Sequence, residues 1–126
     1  AEIPSKDVCF TVAWSDLNNL IRAASIYQIS DLAVVGDGSE IKLIVRDKKN
    51  DTSNNYSVRV GTTDAKFTFN FKVEYLKLLP ADYEVVISKH NAALFKAKKS
   101  GWKSVQDYST DLEYLIALEP DSVYNG

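Results

Sequence analysis

The chain has 126 residues, 45% of them hydrophobic, 25% charged and 11% aromatic, which suits one folded domain with a core and excludes a disordered tail, a collagen-like repeat or a disulfide scaffold. Seventeen acidic residues stand against 15 basic ones, for a formal net charge of −2, and no stretch approaches the roughly 20 apolar residues of a membrane span. One cysteine (Cys9) and one histidine (His90) exclude an internal disulfide and a Cys/His zinc site.

The opening residues AEIPSKDV lack the apolar run of a secretory leader. With no methionine anywhere, the chain reads as an excised piece of a longer protein. Period-two alternation then predicts the first strand, where Val8, Phe10, Val12 and Trp14 alternate with Cys9, Thr11 and Ala13. From Ser15, a suitable N-cap, the spacing turns helical: Leu17, Leu20, Ile21 and Ala24 share one face, and Asn18, Asn19, Arg22 and Ser25 the other. Strands follow at 32–36, at Ile41, Leu43 and Val45, and at Tyr56, Val58 and Val60. Gly36-Asp37-Gly38 and the polar run Asp47 to Asn55 separate them as loops.

A second series begins at 66–73, where Phe67, Phe69, Phe71 and Val73 oppose Lys66, Thr68, Asn70 and Lys72. A short helix is expected over Glu74 to Leu79, with Leu76 and Leu79 inward and Lys77 outward. Pro80 ends it, because proline disfavours helical geometry in the residue before it. Strands at 83–88, 92–98 and 112–118 complete the chain, with a turn at Lys89-His90-Asn91 and a loop from Lys99 to Thr110.

The order is strand, helix, three strands, twice over, and the repeat shows residue by residue. Phe10, Val12, Trp14, Leu17 and Leu20 match Phe69, Phe71, Val73, Leu76 and Leu79 at one constant spacing; Asp31, Val34 and Val35 match Asp82, Val85 and Val86; Tyr56, Val58 and Val60 match Tyr114, Ile116 and Leu118. The fold class read from this pattern is α+β, with two βαβββ units (8–61 and 66–119) related by a pseudo-two-fold axis. Both helices then lie side by side on a continuous sheet.

Charge is segregated along the chain. Seven lysines face three acids between Lys72 and Lys103, whereas five acids and no base occupy Ser104 to Gly126. Such a domain can present a basic face to a polyanion while staying acidic overall. The outward residues of the paired helices, Asn18, Asn19, Arg22 and Ser25 on the first and Lys77 on the second, supply that face together with Lys72 on the strand entering the second helix. Long cationic and amide side chains along helices suit phosphate contact that reads charge and not base edges.

These residues also carry a resemblance. Asp16-Leu17, Leu20 to Arg22, Gln28-Ile29, Phe67-Thr68-Phe69-Asn70-Phe71, Lys77, Pro80, Tyr83, Ala117-Leu118-Glu119 and Asp121-Ser122 resemble the C-terminal domain of the DNA polymerase sliding clamps of T-even-type bacteriophages. The resemblance covers nearly the whole chain and is weakest at 47–55 and 99–110. It implies a DNA-clamp fold, with residues 1–7 ending an inter-domain connector and 8–126 forming the C-terminal clamp domain.

The implied function is processivity: three two-domain subunits encircle duplex DNA and tether the replicative polymerase, with a clamp loader as a further partner, in the cytoplasm of the infected bacterium. Neither cofactor, metal nor membrane is implied. An edge strand comprising Asn54, Asn55, Tyr56, Val58 and Val60 would pair with a neighbouring subunit, leaving this piece alone a monomer or weak dimer. A polymerase peptide would sit in an apolar pocket of Ile3, Pro4, Ala93, Leu94, Leu118 and Pro120.

Other chemistry finds little footing. Asp16, Asp31, Asp37, Asp47, Asp51 and Asp82 fall at loops and caps without a histidine nearby, and His90 sits in a turn. Cys9 reads as sheet packing, and Gly36-Asp37-Gly38 is too short for a phosphate loop, so no enzyme is expected. One alternative is an RNA- or single-strand-binding module in which Phe67, Phe69 and Phe71 stack on bases; the other is a peptide-binding scaffold with no DNA role. Burial of the three phenylalanines separates the first from a clamp.

Overall fold

A computed structural model of the protein describes residues 3–46, 56–98 and 112–126. Among them are nine strands, one α-helix and one 3-10 turn. In chain order these are β1 (Val8–Val12), α1 (Trp14–Ile26), β2 (Asp31–Asp37), β3 (Glu40–Val45), β4 (Tyr56–Thr62), β5 (Lys66–Lys72), the 3-10 turn Val73–Leu76, β6 (Tyr83–Ser88), β7 (Ala92–Ala97), β8 (Glu113–Ala117) and β9 (Val123–Tyr124). The α+β class stands.

The strands form two antiparallel sheets, not one continuous sheet: β1-β6-β7-β8 and β4-β3-β2-β5-β9. Each unit lends its first strand to the sheet of the other. β1 pairs with β6 with Phe10 opposite Val85, and β5 pairs with β2 with Phe69 opposite Val34, so equivalent residues meet in equivalent registers. Exchanged first strands tie the two units together through backbone ladders, which a simple side-by-side packing would not do.

One core fills the space between the sheets. It takes the inward rows Val8, Phe10 and Val12 of β1, Ile41, Leu43 and Val45 of β3, and Phe67, Phe69 and Phe71 of β5, together with Leu17, Leu20 and Ala24 of α1. The period-two pattern of these strands is the physical cause, because alternate side chains point to opposite faces. α1 lies over β3 and β4 and touches the 3-10 turn.

Several expectations are corrected. α1 begins at Trp14 after an N-cap at Ala13, which has no side-chain cap; Ser15 is exposed inside the helix. The missing cap is supplied from the other unit: Asp82 Oδ1 accepts the Trp14 N–H at 2.8 Å. The second helix is only the four-residue 3-10 turn. In consequence Leu79 is exposed and Leu78 is buried in its place. β9 was not anticipated, since two residues carry too little alternation to register. The Asn54 and Asn55 positions of the expected edge, and the whole of the loops 47–55 and 99–110, lie outside the described residues.

Candidate nucleic-acid interface

The surface formed by α1 and the 3-10 turn is positioned by hydrogen bonds from backbone N–H groups that cross between the units. Asp82 holds the start of α1, and the Ser30 carbonyl accepts the Val73 N–H at 2.9 Å to hold the start of the 3-10 turn. α1 ends in a Schellman-type closure, with the Gln28 N–H on the Ser25 carbonyl, the Ile29 N–H on the Ala24 carbonyl and Gln28 in the left-handed region at φ 55°. That closure carries the chain back towards the second unit and places Ile29 and Ser30 beside it.

Between the two elements runs an open groove of about 340 Å³, lined by Ile21, Ser25, Ile29, Ser30, Lys72, Val73, Glu74 and Lys77. Of the residues expected to face DNA, Lys72 and Lys77 are thus brought together, one before the 3-10 turn and one after it. Arg22 is exposed three positions before Ser25, a neighbouring site on the helix surface. Asn19 is exposed and Asn18 half-buried one turn earlier. Lys72 Nζ lies 3.9 Å from Glu119 Oε1. Ser30, Ile29 and Glu119 are not among the expected DNA-facing residues, although Ile29 and Glu119 carry part of the resemblance: the first two follow the helix, and Glu119 reaches the site only through the fold.

The exit of the 3-10 turn is held by two phenols. Tyr83 Oη donates to the Leu79 carbonyl, and the Leu79 N–H donates to Tyr114 Oη at 3.3 Å. Burial, aided by the neighbouring Tyr114, pushes the Tyr83 hydroxyl well above the ordinary phenol range, so it remains a donor.

At the opposite corner, the expected peptide pocket is more closed than anticipated. Ala93 and Leu118 belong to the core, Leu94 is also buried, and Ile3 is half-buried, which leaves Pro4 and Pro120 exposed. The incoming chain is pinned there: the Asp7 N–H bonds the Ile87 carbonyl, and Asp7 Oδ2 accepts the Lys89 N–H at 2.8 Å and the Ser5 hydroxyl. Among the described residues, the expected subunit edge lies at one side of its sheet. β4 terminates its sheet, with Tyr56 exposed and Val58 and Val60 half-buried, and Tyr56 Oη donates to Tyr27 Oη at 3.0 Å.

Phe67, Phe69 and Phe71 are 3%, 1% and 0% exposed. Rings buried to this degree cannot stack on bases, and the RNA-binding alternative falls with them. Cys9 stands exposed on the outer face of β1, its thiol pushed up by partial burial and by Glu84, the reverse of an activated nucleophile.

The family model for the gp45 sliding clamp, C terminal, matches residues 9–120. The chain belongs to that family. Its buried phenylalanine row, exchanged units and paired helical elements are therefore those of a clamp domain, with the replication and processivity role the family has. A search of curated proteins finds no match.

Proposed function

We propose that this clamp domain forms part of a ring around duplex DNA, with α1 and the 3-10 turn towards the duplex. The observation that carries this reading is the convergence of Lys72 and Lys77 on one groove, beside Arg22 and the amides Asn18 and Asn19. Spaced cations without a base-reading constellation favour contact with phosphates of any sequence. The domain tethers a replicative polymerase and contributes no catalysis of its own; a clamp loader is its other partner. It acts in the cytoplasm of the infected host cell, and no helix among the described residues is long and apolar enough to cross a membrane.

The outer edge of β4, which pairs with no further strand among the described residues, supports assembly with a neighbouring subunit, since an open edge templates a further strand. Three subunits closing a ring through this edge is the arrangement proposed, with residues 1–7 as the end of the connector. The polymerase peptide is placed at the corner of Ile3, Pro4, Ala93, Leu94, Leu118 and Pro120, where Pro4 and Pro120 offer the exposed surface.

Replacing Arg22, Lys72 and Lys77 together with Met in the intact clamp tests the DNA face. Retention on circular duplex DNA should shorten, and its salt dependence should flatten by roughly 0.9 logarithmic units for each phosphate that is no longer neutralised. Unchanged retention and slope in a folded triple variant would place the DNA elsewhere.

A further inference from the structure

The groove that collects Lys72 and Lys77 also carries their electrostatic opposites. Glu74 lines it, and Glu119 reaches Lys72 from the far end of the chain. With Arg22 beside them, three cations stand against two carboxylates, a small surplus for a surface whose only task is to grip a polyanion.

Glu119 is not a loosely placed surface acid. Its backbone N–H donates to the Asn70 carbonyl at 2.8 Å, and its own carbonyl accepts the Ser122 N–H at 3.1 Å. The Ser122 hydroxyl in turn accepts the Asn70 N–H at 2.9 Å, and the buried Asn70 amide donates to Asp121 Oδ1 at 3.1 Å. The segment is therefore strapped along β5 before the chain adds β9. Its carboxylate side chain is 23% exposed, whereas that of Lys72 is 43% exposed. The acid stands on a strapped segment, and the lysine is the more exposed partner.

Resting on the reading that this face meets DNA, we propose that Glu119 is a resident counter-ion for Lys72 that competes with DNA phosphates and so limits the clamp's grip. A phosphate that takes Lys72 must displace a carboxylate already beside it, and one that departs returns the lysine to that carboxylate. The exchange is easy in both directions, because a solvent-exposed ion pair at 3.9 Å is weak. Contacts that form and break readily are what a sliding ring requires. A strong unpaired cation would hold one phosphate longer than the next.

Retention of the intact clamp on circular duplex DNA, followed across a salt series, tests this in wild type, Glu119→Gln, Lys72→Met, both together, and Lys77→Met as a check of the DNA-facing reading. Glu119→Gln leaves the backbone bonds of the strap in place, and Glu119→Ser serves as a second variant if the amide disturbs the turn. Freeing Lys72 for one full phosphate contact should steepen the salt dependence by close to one unit, or about a threefold larger fall in retention from about 50 to about 200 mM salt. That gain should vanish in the Lys72→Met background. An unchanged slope in folded Glu119→Gln and Glu119→Ser, while Lys72→Met shortens retention, overturns the proposal and leaves the DNA-facing reading standing. A Glu119→Gln gain that persists in the Lys72→Met background also overturns it, since removing any acid would then do the same. If neither Lys72→Met nor Lys77→Met alters retention, the DNA-facing reading itself fails and takes the proposal with it.

Discussion

At equivalent points of its two units the molecule builds a 13-residue helix, α1, and a four-residue 3-10 turn. Both start immediately after an exchanged strand, and both have their first N–H received by the other unit, Trp14 by Asp82 and Val73 by Ser30. Their ends differ because their sequences do. α1 runs on through Ala23 and Ala24, small residues that let it lie close to the sheet, whereas Pro80 removes an N–H and disfavours helical geometry at Leu79. The shorter element leaves the groove open beside α1. A repeat thus keeps how an element is anchored more faithfully than how long it lasts, and the asymmetry creates the surface feature.

The strongest test of that contrast compares two leucines. Leu17 is 1% exposed and Leu79 51%. Leu17→Ala should cost about 2–5 kcal/mol in denaturant unfolding, through reduced burial and a cavity, while Leu79→Ala should stay within about 0.5 kcal/mol. Comparable losses at both sites would show that the 3-10 turn packs as a full helix does in solution.

A second contrast lies within the exchanged strands. Where β1 sets Val8 opposite Ile87, β5 sets Phe67 opposite Gly36. A Cβ on Gly36 would come within 2.3 Å of the Phe67 ring, so the two units reach a similar filled volume from opposite partners. Gly36→Ala should destabilise by about 1–3 kcal/mol through overpacking, and much of that loss should disappear in a Phe67→Val background. Additive effects in the double-mutant cycle would mean that the ring moves aside freely.

The smallest expected effect concerns pH. At one sheet corner the Lys89 N–H is received by the Asp7 carboxylate, and at the equivalent corner the Gly38 N–H is received by the Ala65 carbonyl. The Lys89 N–H, then the Ser5 hydroxyl, holds Asp7 below the usual carboxylate range. Its stabilisation is therefore complete above about pH 4, the ordinary aspartate range, and is lost as pH falls through the lower folded value. Amide exchange should show Lys89 losing protection in acid while Gly38 keeps its own. Ser39 and Glu40, whose N–H groups bond the Asp37 carboxylate, should follow Lys89. Equal loss at Gly38 would point to general unfolding instead.

Much of the clamp was legible in the chain itself. Strict alternation in β1, β3 and β5 identified the strands and their inward rows, because a pleated strand shows the core every second residue. Repeated spacing of Phe10, Val12 and Leu17 with Phe69, Phe71 and Leu76 revealed two units, whereas the second helical element ends at Leu76, short of the limit that Pro80 sets. Only the tertiary structure decided which unit each first strand joins, since an antiparallel ladder is specified by residues distant in sequence. It alone assigned Asp82 as the cap of α1, exchanged Leu79 for Leu78 in the core, and buried Leu118 and Leu94 at the corner of the expected pocket. Lys72 and Glu119 meet for the same reason: local pattern sets which face a side chain takes, whereas the identity of its neighbour follows from how distant segments close around one core.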